Sequence, residues 1–170
     1  GGYNLVENYR VSDDTKGWRG PRELAVIYVA GEITTGRSSP PGLFGGGSSA
    51  GRDTNVDVFE KAGRDPAVKG VPLRVDSPGG SAFGSDEIWR EIERLKEDKP
   101  IVVSMGGLAA SGGYWVSMNA NAIYAQSTTI TGSIGVISSK FSLEDLYDKI
   151  GLKYEVYNRG RNAAMYSLSK

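Results

Sequence analysis

Three glycine-flanked serines carry the chemistry this sequence can offer. Ser111 sits in Met105-Gly106-Gly107-Leu108-Ala109-Ala110-Ser111-Gly112-Gly113-Tyr114, Ser77 in Asp76-Ser77-Pro78-Gly79-Gly80, and Ser133 in Gly132-Ser133-Ile134-Gly135. A serine between small residues where a strand turns into a helix has an exposed hydroxyl. The glycines beside it leave room for a substrate backbone and bare their N–H groups. These are the parts of an acyl-transfer site: a nucleophile at Ser111, with oxyanion donors from Gly112 and from Gly79 or Gly80. The positive end of the helix after Gly80 would reinforce the second donor. Taken singly, Ser111 is as well explained as a helix cap, but two such turns at neighbouring strand ends point to chemistry. Ser133 is either a kink in a strand or a hydroxyl that orients a base. Asp76 reads as a turn-forming or capping residue, not as an acid or a metal ligand.

Composition limits the mechanism. The chain has no histidine, so no Ser-His-Asp or Cys-His mechanism can be contained in it. It has no cysteine, which excludes disulfides, thiol nucleophiles and zinc-thiolate sites. Twenty basic residues balance twenty acidic ones, so no field of one sign advertises nucleic acid or an anionic surface. No apolar run approaches the roughly 20 residues that span a bilayer, and the N-terminus lacks a signal-peptide pattern. The 170 residues suit one domain, residues 23–170, preceded by an arm or linker over residues 1–22.

The elements that must position these serines alternate in type. Leu24 to Val29 is a continuous β-favouring run that predicts a strand buried on both faces. Residues 34–51 are rich in Gly, Ser and Pro and predict a loop, or a substrate-side flap, with Leu43 and Phe44 as its anchors. Asp53 to Arg64 predicts a helix capped by Asp53 or Thr54, with Val56, Phe59 and Ala62 facing a core. Val71 to Val75 predicts a strand with Pro72 at its start. Ser85 would cap a helix reaching Asp98, its Ile88, Ile92 and Leu95 on one face. Further strands are expected at Ile101 to Ser104, Ala122 to Ala125, Thr129 to Ser138 and Tyr154 to Tyr157. A short helix at Tyr114 to Met118 and one opening at Ser142, with Leu146 and Ile150 inward and Gly151 as its stop, complete the series. This alternation implies an α/β protein of mostly parallel βαβ units.

Three ordered motifs, Leu73 to Gly80, Met105 to Trp115 and Thr129 to Val136, closely resemble signal peptide peptidase A, a Ser/Lys protease family related in fold to Clp protease and the crotonases. The resemblance runs from about Leu24 to Tyr157. It implies Ser111 as nucleophile, a neutral lysine as base, Ser133 as the hydroxyl holding that lysine, and an oxyanion hole of Gly112 with Gly79 or Gly80. It implies neither cofactor nor metal. Peptides such as cleaved signal peptides are the implied substrates, with a homo-oligomer at the outer face of the cytoplasmic membrane or in the periplasm. Membrane association would come through a segment not in this chain, and an apolar pocket near Tyr114 and Trp115 would suit small hydrophobic side chains. A desolvated lysine can fall toward neutral pKa and deprotonate serine, which agrees with the missing histidine.

The position matching the family lysine is Ala163. Three explanations stay open: a base supplied from outside the chain, as in long members whose second domain bears the serine; replacement of the lysine by alanine; or a displaced local lysine, with Lys170 nearest. Lys140, Lys149 and Lys153 are expected on solvated faces. Two rivals remain at this point, a crotonase-like acyl-CoA enzyme and an inactive peptide-binding scaffold.

Overall fold

A computed structural model of the chain describes residues 23–40, 47–165 and 167. The expected N-terminal arm and the anchors Leu43 and Phe44 lie outside the described residues. The chain divides into two units, one ending at Gly135 and the other running from Val136.

Two ten-residue strands form the middle of the first unit, β5 (Val68–Ser77) and β6 (Ile101–Ala110). Each has two short parallel strands placed end to end along its outer side. β1 (Glu23–Leu24) and β2 (Ile27–Ala30) follow one another along β5, while β7 (Ala122–Tyr124) and β8 (Ile130–Gly132) follow one another along β6. A separate pair, β3 (Glu32–Thr34) and β4 (Ser49–Gly51), occupies part of the segment expected to be loop.

The helices α1 (Arg52–Arg64) and α2 (Ala82–Lys96) share a core with this sheet. Phe59, Ala62, Ile88, Ile92 and Leu95 are buried with Ile27, Val29, Leu73, Val75, Ile101 and Val103. Full burial of each of these side chains other than Ala62 contributes roughly 1.5–3 kcal/mol. The alternate residues Val26, Tyr28 and Val102 are exposed. The β2 region is therefore buried on one face, not on both as its apolar run suggests; composition reports propensity, while burial depends on what covers each face.

Pro72 lies inside β5 and not at its start. Its missing N–H costs little because it falls where β1 has ended and β2 has not begun: Ala25 N–H reaches Gly70 O, and the β2 register opens at Ile27 with Leu73. Capping also differs from expectation. Gly51 precedes α1 without a side-chain cap, and Thr54 Oγ1 instead accepts from Ser38 N–H at 2.8 Å. Asn55, not Val56, is the buried residue of the first turn. In α2 the cap is Ser81, whose hydroxyl accepts from Gly84 N–H at 3.1 Å, while Ser85 is buried and donates back to Ser81 O at 2.8 Å.

The α1 C-terminus is closed from a distance. Lys99 Nζ donates to Ala62 O at 2.6 Å, Gly63 O at 2.9 Å and Asp65 O at 2.6 Å, placing a cation on the carbonyls of the helix end, of which Asp65 O also accepts from Val68 N–H at 3.3 Å. Lys99→Met, which keeps the apolar stem, is expected to lower stability by about 1–2 kcal/mol in urea denaturation. An unchanged midpoint would show that water satisfies these carbonyls equally well.

In the second unit α4 spans Glu144–Lys149 and has no buried residue. Leu146 and Ile150, expected inward, are 50% and 59% exposed. Gly151 at φ 73° does end the helix. Tyr154 to Tyr157 forms no strand, since no neighbouring strand supplies a ladder there among the described residues. The ring centroids of Tyr147 and Tyr154 lie 4.7 Å apart, and the neighbouring Tyr154 hydroxyl raises the Tyr147 phenol above its ordinary value.

Candidate active site

The strand expected to stop at Ser104 runs on through Gly106 and Gly107 to Ala110, directly before Ser111. Ser111 then opens α3 (Gly112–Ser117). Its φ of 52° and ψ of −118° are sparsely populated for a residue with a Cβ. The local cause is a conflict of ladders. Ser111 N–H still belongs to the sheet, donating to Gly132 O at 2.9 Å, while its carbonyl already accepts the first helical bond from Trp115 N–H at 2.9 Å. A sharp turn satisfies both, and it leaves the Ser111 hydroxyl without a hydrogen-bond partner among the described residues.

Ser133 is the other non-glycine residue with positive φ among the described residues, at 53°. The register pairs Ala110 with Gly132, so each serine lies one residue beyond the same rung on neighbouring strands. The structure thus brings Ser111 and Ser133 to one sheet end. Thr131 Oγ1 strengthens this rung by donating to Ala109 O at 2.8 Å.

The Ser77-Pro78-Gly79-Gly80 turn reaches the same place from β5. A Cβ on Gly79 would stand 2.5 Å from Gly112 N and 2.8 Å from Ser111 Cβ, so the two glycine turns are in backbone contact. Ser77 is fully buried; its hydroxyl donates to Gly31 O at 2.6 Å and accepts from Gly79 N–H at 3.1 Å. That bond occupies Gly79 N–H and leaves Gly80 N–H, which has no acceptor among the described residues, as the available donor of the pair. Gly112, first in α3, has no acceptor for its N–H within the helix. Sequence reasoning missed the clamp that fixes this turn from β3: Ile33 N–H donates to Gly79 O and Ser81 N–H to Ile33 O, both at 2.7 Å. The signal was present in Gly31 followed by Glu32-Ile33-Thr34, a glycine break and a short β-favouring run.

Asp76 lies within β5 and, in place of the local turn or cap expected, accepts from Leu108 N–H on β6 at 3.1 Å. Tyr114 packs partly buried against the core, and Trp115 is half-buried. Ala163 belongs to the second unit, in an exposed turn closed by its N–H to Gly160 O at 3.3 Å. Lys140, Lys149 and Lys153 are exposed, Lys140 Nζ donating to Ser167 O at 3.4 Å, and Lys170 lies outside the described residues. Among the described residues no helix is long and apolar enough to cross a membrane.

A parallel α/β sheet delivers a strained serine and two glycine turns to one end, the arrangement a serine acyl-transfer site would need. The same fold is found in a solved membrane-bound stomatin-specific protease, a lysine-to-alanine mutant in complex with a substrate peptide. It matches 72% of this chain and 49% of that one at TM-score 0.52 and 19% identity. Residues 93–170 match the model of peptidase family S49. It is 38% identical over 165 residues to the chloroplastic serine protease SPPA of Arabidopsis thaliana, and 44% identical over 154 residues to Protease 4 of Haemophilus influenzae. These matches cover 93% and 88% of the chain but only 24% of either relative, so it spans about a quarter of their length.

Proposed function

We propose that the chain is the serine-bearing domain of an endopeptidase of the signal peptide peptidase A type, with Ser111 as its nucleophile. The observation that carries this reading is the unpartnered hydroxyl of Ser111 on a strained turn wedged between Gly79 and the Ala110–Gly132 rung. A neutral lysine takes the Ser111 Oγ proton as the oxygen attacks the peptide carbonyl. Gly80 and Gly112 N–H groups receive the negative charge that develops on the carbonyl oxygen. Collapse expels the amine, which takes the proton back from the lysine, and water then hydrolyses the Ser111 ester. Ser133 orients the lysine, which comes from outside these 170 residues. Substrates are extended apolar segments such as remnant signal peptides, met by a homo-oligomer at a membrane surface.

A fluorophosphonate probe tests both parts. The product of the complete reading frame should be labelled at Ser111, and the 170-residue chain far more slowly. Rapid labelling of the chain carrying Ala163→Lys would overturn the external base. Label on a residue other than Ser111 would overturn the nucleophile.

A further inference from the structure

The path of β6 contains a defect that the acyl-transfer chemistry does not itself require. Val75 pairs with Met105 and Ser77 with Ala109, so β5 advances two residues (77 − 75) while β6 advances four (109 − 105). Two extra residues are therefore stored in the bulge Gly106–Leu108. Before the bulge β6 pairs with β7, Val102 to Ser104 against Ala122 to Tyr124; from the last bulge residue onward it pairs with β8, Leu108 to Ala110 against Ile130 to Gly132. The bulge is where β6 exchanges one neighbour for the next, and the second neighbour carries Ser133.

One side chain from β5 fits into this defect. Asp76 Oδ1 accepts from Leu108 N–H at 3.1 Å, the last donor of the bulge before pairing resumes. The rest of the carboxylate fills the space above Gly106, where a Cβ would lie 2.5 Å from Asp76 Cγ and 2.7 Å from Oδ2. From the far side Thr129 Oγ1 donates to Gly106 O at 2.7 Å. Asp76 also accepts at its backbone carbonyl from Gly31 N–H at 2.9 Å, which fixes it to the β2–β3 connection that clamps Gly79.

Building on the peptidase reading, we propose that Asp76 is a positioning residue for Ser111: its carboxylate sets the length of the β6 bulge, and so aligns Ser111 with Ser133 and with the oxyanion turn. The requirement is for an acceptor at Oδ1, not for a charge. Asparagine retains that acceptor and alanine does not.

The test compares Asp76→Ala and Asp76→Asn in the active protein on a fluorogenic peptide, with amide hydrogen exchange at Leu108 as a second readout. Asp76→Ala should lower kcat about 10- to 100-fold, the scale of a small misplacement of reacting groups, with KM changed less than about threefold. Asp76→Asn should stay within about threefold of the parent. Leu108 protection should be lost in the alanine variant and kept in the asparagine variant, a readout independent of turnover. Asparagine as defective as alanine, or alanine with full kcat and a protected Leu108 amide, would overturn the proposal. Failure of the peptidase reading appears elsewhere, as hydrolysis that survives Ser111→Ala, and leaves the exchange result at Leu108 to be judged by itself.

Discussion

Ser111→Ala is expected to lower peptide hydrolysis by at least about 10³-fold while leaving stability within about 0.5 kcal/mol of the parent. The two halves of this expectation rest on the same geometry. The Ser111 hydroxyl has no hydrogen-bond partner among the described residues, so its removal orphans no buried group. Alanine keeps the Cβ, and therefore carries the same cost at φ 52° as serine does. Steady-state hydrolysis of a fluorogenic peptide and a urea melt on the same preparation check both. A variant that still hydrolyses peptide would remove Ser111 from the chemistry and favour an acyl-CoA enzyme, in which glycine N–H groups alone polarise the carbonyl. A variant that unfolds would show that the hydroxyl has a structural partner.

Gly79→Ala should cost both activity and stability. The new methyl would stand 2.5 Å from Gly112 N, 2.8 Å from Ser111 Cβ and 2.9 Å from Ala110 O, and none of these is the mobile end of a long side chain. The residue also lies at φ 91°, where a Cβ is strained whatever the space. We expect a loss of roughly 2–4 kcal/mol from strain and overpacking. Hydrolysis should fall by about 10² or more as the Gly79–Gly80 turn is pushed away from Gly112. Gly47→Ala, away from both glycine turns and from the β6 bulge, is the control, since nothing lies within 4 Å of its added carbon. Equal kcat in the Gly79 variant and in this control would show that the turn takes no part in stabilising charge.

Much of this site was legible because its chemistry is local. A serine among glycines after an apolar run announces a strand-to-helix turn, and two such turns with no histidine narrow the mechanism before any coordinates are known. The helix faces were equally readable: Phe59, Ala62, Ile88, Ile92 and Leu95 recur at helical spacing and are all buried. What the sequence hid depends on neighbours far away along the chain. Pro72 can sit within a strand only because β1 and β2 leave a gap beside it. Gly106 and Gly107 read as the end of a strand, whereas the strand continues through them as a bulge held by Asp76 and Thr129. Ser85 resembles a cap as much as Ser81 does, and only the β3 clamp on Ser81 N–H decides between them. Tyr154 to Tyr157 has strand propensity without a partner, and propensity alone makes no ladder.

The two serines held at left-handed φ have a further meaning for how such a chain changes over time. Glycine would adopt either turn without penalty, so a lineage selected for durability alone has an easy route to a more robust protein by discarding both hydroxyls. Of the described residues with positive φ, all but Ser111 and Ser133 are glycines, which is the outcome that backbone economy favours. A chain released from its chemistry would be expected to lose its exceptions first, and inactive descendants of this fold should be recognisable by glycine at one or both of these corners.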